Sequence, residues 1–205
     1  MEIILVENGS SDSTWEVCQS PARKASNLIR ALQSPRASYG EAIRLGMRES
    51  AGTHVSILEC DLLEPQFLRD SLQRFELGAQ FVVGSKRHLD ATDLRPAKRR
   101  ILTMGFNYLL RVFLGYPGTD THGLKSIERA LAKRLCDLCI TSDEVFQTEL
   151  VLLAWRLGVK VEEVPVHIHE RRPTPVSIRR RFPKVVKMVF ELRRSLRRFP
   201  PRPHH

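Results

Sequence analysis

The stretch SILECDLLEP, residues 56–65, runs from an apolar segment straight into a pair of acids. Val55, Ile57 and Leu58 read as a strand over 54–59 that delivers Glu59-Cys60-Asp61 at its carboxyl end. Pro65 is placed to open a helix over 66–76, with Phe67, Leu68, Leu72 and Phe75 on one face. Two carboxylates one residue apart, just beyond a strand, can share a hard divalent cation. Such an ion takes one or two carboxylates and completes its shell with phosphate oxygens. The plainer alternative is a pair of solvated acids at the rim of a sheet.

The neighbouring elements give that strand its setting. EIILVE, residues 2–7, reads as a buried strand closed by Asn8-Gly9-Ser10-Ser11, and Asp12-Ser13-Thr14 caps a short helix through about Cys18. A weaker strand over 27–32 precedes a helix over 41–51, which Gly52 stops. Phe81-Val82-Val83-Gly84 is a short buried strand, and a polar loop leads to a long helix over 98–114. A short strand at 124–127, helices over 127–139 and 144–157, and a strand over 160–168 follow. Strands alternating with helices predict an α/β fold, a Rossmann-like and mostly parallel sheet with helices on both faces. Ligands of such sheets bind beyond the carboxyl ends of the strands. Glu7 and the Glu59/Asp61 pair both stand at such ends, so both are expected to face one crevice.

Composition narrows the classes. The chain has 205 residues and 42% apolar residues, enough for one sizeable core and too apolar for wholesale disorder. No apolar run approaches the ~20 residues of a membrane span. The opening MEIILVENG lacks a basic n-region and a cleavage site, and cysteine appears four times, which together predict a reducing, cytoplasmic setting. Charge is uneven. Arg171 to His205 holds ten Arg, two Lys and one Glu, a net +11, which leaves the first 170 residues at −1. We therefore expect a body over 1–178 and a basic amphipathic tail over 179–205. In that tail Val185, Val189 and Leu192 recur at helical spacing among lysines and arginines, the pattern of a helix lying on an anionic membrane surface. A helix packed on its own domain is the competing reading. Nucleic acid is disfavoured, because the segment has few aromatics for stacking and the body has no matching basic face.

Seven short motifs in order resemble the family-two glycosyltransferases, in particular the polyprenyl-phosphate, dolichol-phosphate mannose synthase-like branch. Ile4-Leu5-Val6-Glu7-Asn8-Gly9-Ser10-Ser11-Asp12-Ser13-Thr14 resembles V-D-D-G-S-x-D-x-T. Ala37-Ser38-Tyr39-Gly40-Glu41-Ala42-Ile43, with Gly46, Ala51 and Gly52, resembles N-x-G-x-G-x-A-x-x-x-G-x-x-x-A-x-G. Glu59-Cys60-Asp61 stands at the D-x-D, and Gly84-Ser85-Lys86-Arg87-His88 with Arg99-Arg100 matches G-S-K-R-H and its following arginines. Asp120-Thr121-His122-Gly123-Leu124-Lys125 resembles D-T-x-x-G-L-K, one residue shorter. Phe146 with Glu149-Leu150 resembles F-x-x-E-L, and Glu163-Val164-Pro165-Val166 resembles E-x-P-V.

The resemblance implies a GT-A fold and inverting transfer of a sugar from a nucleotide-sugar to a polyprenyl phosphate, with Mg2+ or Mn2+. It implies that Glu59 and Asp61 hold the metal. It places Val6, Glu7, Glu59, Cys60, Lys86 and Arg172 (or Arg171) on the nucleotide-sugar or its phosphates, and Asp61, Arg87 and Glu149 in catalysis. It also implies a peripheral place on the inner face of the membrane. The family opens with a strand and an I-P-x-Y-N-E-type loop ahead of the segment that here starts at Glu2. On that comparison the sheet is N-terminally truncated, and the alternative function is an impaired, glycosyltransferase-like binding or scaffold protein. Glu7 and Glu59 stand where aspartate is usual, and Leu63 where the branch often has a polar residue. Beside these, Cys136-x-x-Cys139, Trp15, Trp155 and the core-facing reading of Cys60 are expected to be matters of packing, and His167 and His169 to share a solvated strand face.

Overall fold

The computed structural model describes residues 1–60, 62–168 and 178–199. Six strands and seven helices alternate among them: β1 (Ile3–Glu7), α1 (Thr14–Lys24), β2 (Ile29–Gln33), α2 (Tyr39–Glu49), β3 (His54–Ile57), α3 (Pro65–Glu76), β4 (Phe81–Ser85), α4 (Ala97–Leu114), β5 (Lys125–Glu128), α5 (Arg129–Leu138), α6 (Val145–Arg156), β6 (Val161–Pro165) and α7 (Ile178–Leu196). The strands fall into two sheets, β1-β2 and β3-β5-β4-β6. The β1–β2 and β4–β6 pairs are parallel, Glu7 lying opposite Gln33 and Ser85 opposite Pro165. The chain divides into two compact units, residues 1–55 with 127–150 and residues 56–126 with 151–205.

In the first unit α2 packs on β1 and α5. Ser38 caps α2, its Oγ accepting from the Glu41 N–H and donating to the Ser142 carbonyl at 2.7 Å. Gly40 makes this approach possible, since a Cβ there would lie 1.8 Å from the Ser142 oxygen. Helix α1 is longer than predicted and runs through Pro21. Proline forgoes one helical hydrogen bond, but its fixed φ suits a helix. Trp15 is half-buried rather than core, on a helix with no fully buried residue. Met47, Leu135, Cys136 and Phe146 are fully or almost fully buried, each contributing roughly 1.5–3 kcal/mol for an aliphatic or aromatic group removed from water. The Cys136 thiol points at the Met47 sulfur, and burial pushes it up to about 11, so the Cys136/Cys139 pair is packing material as expected.

In the second unit all five residues of β4 are buried, which is why the segment reads as an unbroken apolar run. Phe67 of α3, Val82, Leu124, Val164, Val166 and Ile168 form its core. A Cβ on Gly84 would lie 2.6 Å from Val166 and 3.2 Å from the Phe67 ring, so only glycine lets the sheet and helix meet there. Trp155 is half-buried, edge-on to Tyr116. Helix α7 packs against α4. Arg156 ties their ends, donating to the carbonyls of Leu114 at 3.1 Å and Phe199 at 3.3 Å. Leu192 and Leu196 are buried and Val185 and Val189 half-buried, so the apolar stripe expected to meet a membrane is turned inward. The reason is competition: α4 offers an apolar neighbour on the chain itself.

Candidate active site

At the end of β1 the Glu7 side chain is buried and folds back over its own loop. Its carboxylate accepts from the Ser10 N–H and from Gln33 Nε2 at 3.1 Å. The Ser10 backbone bond, with smaller contributions from Gln33 and Gly9, holds the carboxyl below its ordinary value. Gly9 completes the turn at φ +67°, within 3.0–3.1 Å of Ala37 for any added Cβ. Between them the Asn8 Oδ1 is buried and accepts no hydrogen bond among the described residues. A buried acceptor without a donor is uncommon enough to mark a place for one. Val6, expected at the nucleotide-sugar, is half-buried, with its side chain facing Gly46, where an added Cβ would lie 3.3 Å away.

Glu149, in the same unit, is fully buried. It accepts from the backbone N–H groups of Ile140 at 3.1 Å and Thr141 at 2.9 Å, and from the Thr141 hydroxyl at 2.5 Å. The expected catalytic carboxylate therefore holds the turn after α5. Arg44 braces the same turn through the carbonyls of Cys136, Cys139 and Thr141.

In the second unit β3 ends in a tight turn closed by the Leu62 N–H on the Glu59 carbonyl at 3.0 Å. Glu59 is half-buried and Cys60 exposed, which corrects the core-facing reading of Cys60: the turn after β3 lifts Cys60 off the sheet. Asp61, Arg171, Arg172 and His169 lie outside the described residues. His167 is exposed, as expected.

Behind this turn sits an ionic cluster. Asp120 is fully buried and accepts from the His122 N–H at 2.9 Å and the Lys86 N–H at 3.3 Å. The Lys86 ammonium, expected to meet phosphate, is instead 3.4 Å from Asp120 and donates to the His122 carbonyl at 2.8 Å. A buried carboxylate needs a counter-charge, and Lys86 is the cation that answers it. Gly123, at φ +117°, leaves room for that ammonium, which an added Cβ would approach to 3.0 Å. Lys125 is fully buried and donates to the Gly123 carbonyl at 2.9 Å. Desolvation pulls its ammonium down to about 7; Asp120 and Glu59 act against the fall and Lys86 with it. Desolvation likewise keeps the His122 imidazole, edge-on to Phe106, neutral. Glu163 of β6 clamps the loop from the other side, accepting from the Thr119 N–H at 2.7 Å and from its hydroxyl. Arg87 is exposed just past Ser85, whose Oγ accepts from the Arg87 N–H at 3.1 Å.

Sequence reasoning missed three residues: Asn8, Asp120 and Lys125. Each was present in a quoted motif, but only burial and partners reveal its task. A groove of about 350 Å³ lined by Tyr116, Trp155, Val159, Lys160 and Glu163 opens at the start of β6. It shares Glu163 with the loop clamp just described.

Glu59 presents a half-buried carboxylate, an oxygen donor of the kind a hard divalent ion takes, and among the described residues no group of three or more His, Cys, Asp or Glu is placed to hold an ion.

Comparison with known proteins agrees with these features. A family described as glycosyl transferase family 2 matches residues 1–135. The dolichyl-phosphate beta-glucosyltransferase of Saccharomyces cerevisiae is 25% identical over 190 residues, covering 82% of this chain and 57% of the yeast protein. The Dictyostelium discoideum protein of the same description is 28% identical over 179 residues, covering 81% and 54%. The glycosyltransferase AglD of Haloferax volcanii is 26% identical over 180 residues, covering 86% and 29%. The chain thus spans little more than half the length of the two glucosyltransferases. Among solved structures, glucosyl-3-phosphoglycerate synthase from Mycobacterium tuberculosis, in complex with Mn2+, UDP and glucosyl-3-phosphoglycerate, superposes with a TM-score of 0.64 at 19% identity, over 98% of this chain and 70% of that one. At that identity the likeness speaks for the fold, which is the expected α/β GT-A fold. With strands paired in parallel at β1–β2 and β4–β6 and a family match over residues 1–135, the chain belongs to glycosyl transferase family 2.

Proposed function

We propose that this chain transfers a sugar from a nucleotide-sugar to a polyprenyl phosphate at a membrane surface, with a divalent metal. The observation that carries the reading is the turn after β3, which leaves Glu59 half-buried and Cys60 exposed, with the charge of Glu59 reaching the buried Lys125. The names of the yeast and Dictyostelium relatives point to a dolichyl-phosphate acceptor, and the Mycobacterium neighbour, bound to Mn2+ and UDP, points to the donor class.

In this reading Glu59 and Asp61 hold Mg2+ or Mn2+, which when bound neutralises the diphosphate as it leaves. The exposed Arg87 meets phosphate oxygens, with Arg172 as a second cation. In the first unit, taken by itself, Asn8 Oδ1 is an acceptor open to a nucleotide donor, and Glu7 keeps the loop that carries it in place. A lipid phosphate is already anionic, so the site needs little from a general base. It must chiefly hold two negative groups close together. Lys86, Asp120 and Lys125 set the floor under the turn, and Glu149 acts as a positioning residue for its own loop. The basic segment containing α7 keeps the chain at an anionic leaflet.

The test is calorimetry of UDP binding with and without Mn2+, followed by transfer from UDP-glucose to a polyprenyl phosphate. Mn2+ should raise affinity for UDP, and Asp61→Ala should remove that rise. Metal-independent binding refutes the metal role. Metal-dependent binding with no transfer to any polyprenyl phosphate favours the non-catalytic reading.

A further inference from the structure

Helix α4 has two apolar faces. Phe106, Leu110 and Leu114 are buried. Ile101, Met104, Tyr108 and Val112 recur at intervals of three and four residues on the opposite face, and they are 61%, 48%, 67% and 57% exposed. A surface helix with one core face normally shows water a polar back. Here the back is a continuous stripe of large side chains, which marks an interaction surface.

Its charge says what covers it. Helix α4 carries Lys98, Arg99, Arg100 and Arg111 and no acid. Helix α7, packed against it, carries seven basic residues and one acid, Glu191, which lies 3.7 Å from Lys187. On α7 itself Val186 and Phe190 are exposed in line with Arg193, Arg194 and Arg197. A second copy of the chain would bring the same cationic helices face to face. An apolar stripe bordered by cations is instead complementary to a bilayer whose surface is anionic and whose interior is hydrocarbon.

We infer that α4, not the tail alone, is the membrane-seated element: its outer stripe enters the head-group region while its own cations and those of α7 engage anionic lipid. Arg156, bonded to the Leu114 and Phe199 carbonyls, fixes the two helices as one platform. The inference names the partner surface for the proposed lipid-linked transfer and rests on that reading for its purpose. Its test uses neither nucleotide nor metal, so each can fail without the other.

The full chain is floated with phosphatidylcholine vesicles and with vesicles containing 30% phosphatidylglycerol, at about 0.1 M and 0.5 M salt. The chain should float with the anionic vesicles and be released several-fold by the higher salt. Ile101→Gln with Tyr108→Gln should lower partitioning by about tenfold or more, because two exposed apolar groups no longer leave water. Leu77→Gln, at a leucine still more exposed at the end of α3, should change nothing. An unchanged melting temperature shows that the double variant is folded. Three results overturn the inference: no flotation of the wild-type chain, equal flotation of the double variant, or a wild-type dimer that the double variant splits while neither binds vesicles.

Discussion

Replacing Lys125 by methionine should change stability in opposite directions at low and high pH. Lys125 is fully buried and titrates at about 7, against an ordinary lysine value of 10.5. The depressed value means that the charged ammonium disfavours folding. That cost is fully present below about pH 7, where folded and unfolded chains are both protonated. It is relieved as pH rises toward 10.5, where the unfolded chain still binds the proton and the folded chain does not. At 1.36 kcal/mol per decade, the full cost is roughly 5 kcal/mol. Methionine removes the charge and keeps the volume, but it leaves the Gly123 carbonyl without its donor, at about 1–2 kcal/mol. The variant should therefore be about 3 kcal/mol more stable at pH 6 and about 1 kcal/mol less stable near pH 10. The charges facing Lys125, namely Asp120, Glu59 and Lys86, remain in both proteins. Urea unfolding at pH 6, 7.5 and 9.5, followed by Trp155 fluorescence in a Trp15→Phe background, reads the second unit. A difference that keeps one sign and size across that range would show that Lys125 does not bear a buried charge.

Asp120→Asn leaves Lys86 without its buried counter-charge and should cost about 3–5 kcal/mol by urea unfolding, with Lys86→Met restoring part of the loss in the double variant. Gly40→Ala drives a methyl group into the Ser142 carbonyl and Phe146 and should cost about 3 kcal/mol or more; a loss below about 1 kcal/mol would mean that α2 can shift away. Arg156→Gln should lose the links to Leu114 and Phe199, and amide exchange should quicken at the end of α7 while the β4 amides stay protected.

The order of strands and helices was legible because it rests on local periodicity. The all-apolar Phe81–Val83 run and the proline at the start of α3 located their elements without any knowledge of neighbours. Tertiary partners decide what periodicity cannot. Nothing in Val185, Val189 and Leu192 says whether the stripe they form faces lipid or protein; the nearness of α4 turned it inward. The outer stripe of α4 went unread because the 98–114 segment is apolar on two faces, and a helix with two such faces yields only a weak amphipathic signal. Lys86 was expected at phosphate and Glu149 in catalysis, whereas both hold loops of the fold. Their partners, Asp120 and the turn at Ile140 and Thr141, lie 34 and about nine residues away in sequence, so their tasks could not be inferred from spacing alone.

The division between framework and contact residues follows from the same accounting. A side chain whose polar atoms are already matched inside the fold has little left to offer a ligand without breaking those bonds, which costs about 1–3 kcal/mol for each group stranded in the interior. By that measure Lys86, Asp120, Glu149 and Glu163 are framework, each meeting the loop it holds. Arg87 and Cys60 stand in solvent, and Asn8 holds a buried acceptor that no described donor meets. The motif residues that resemble a transferase site therefore separate into two sets. In one the polar atoms are matched inside the fold of their own unit; in the other they are not. Exchange within the second set gives the sharper test of function. Asn8→Ala removes an acceptor that the fold does not use, so stability should hold within about 0.5 kcal/mol while nucleotide affinity falls. A stability loss with affinity unchanged would return Asn8 to the framework.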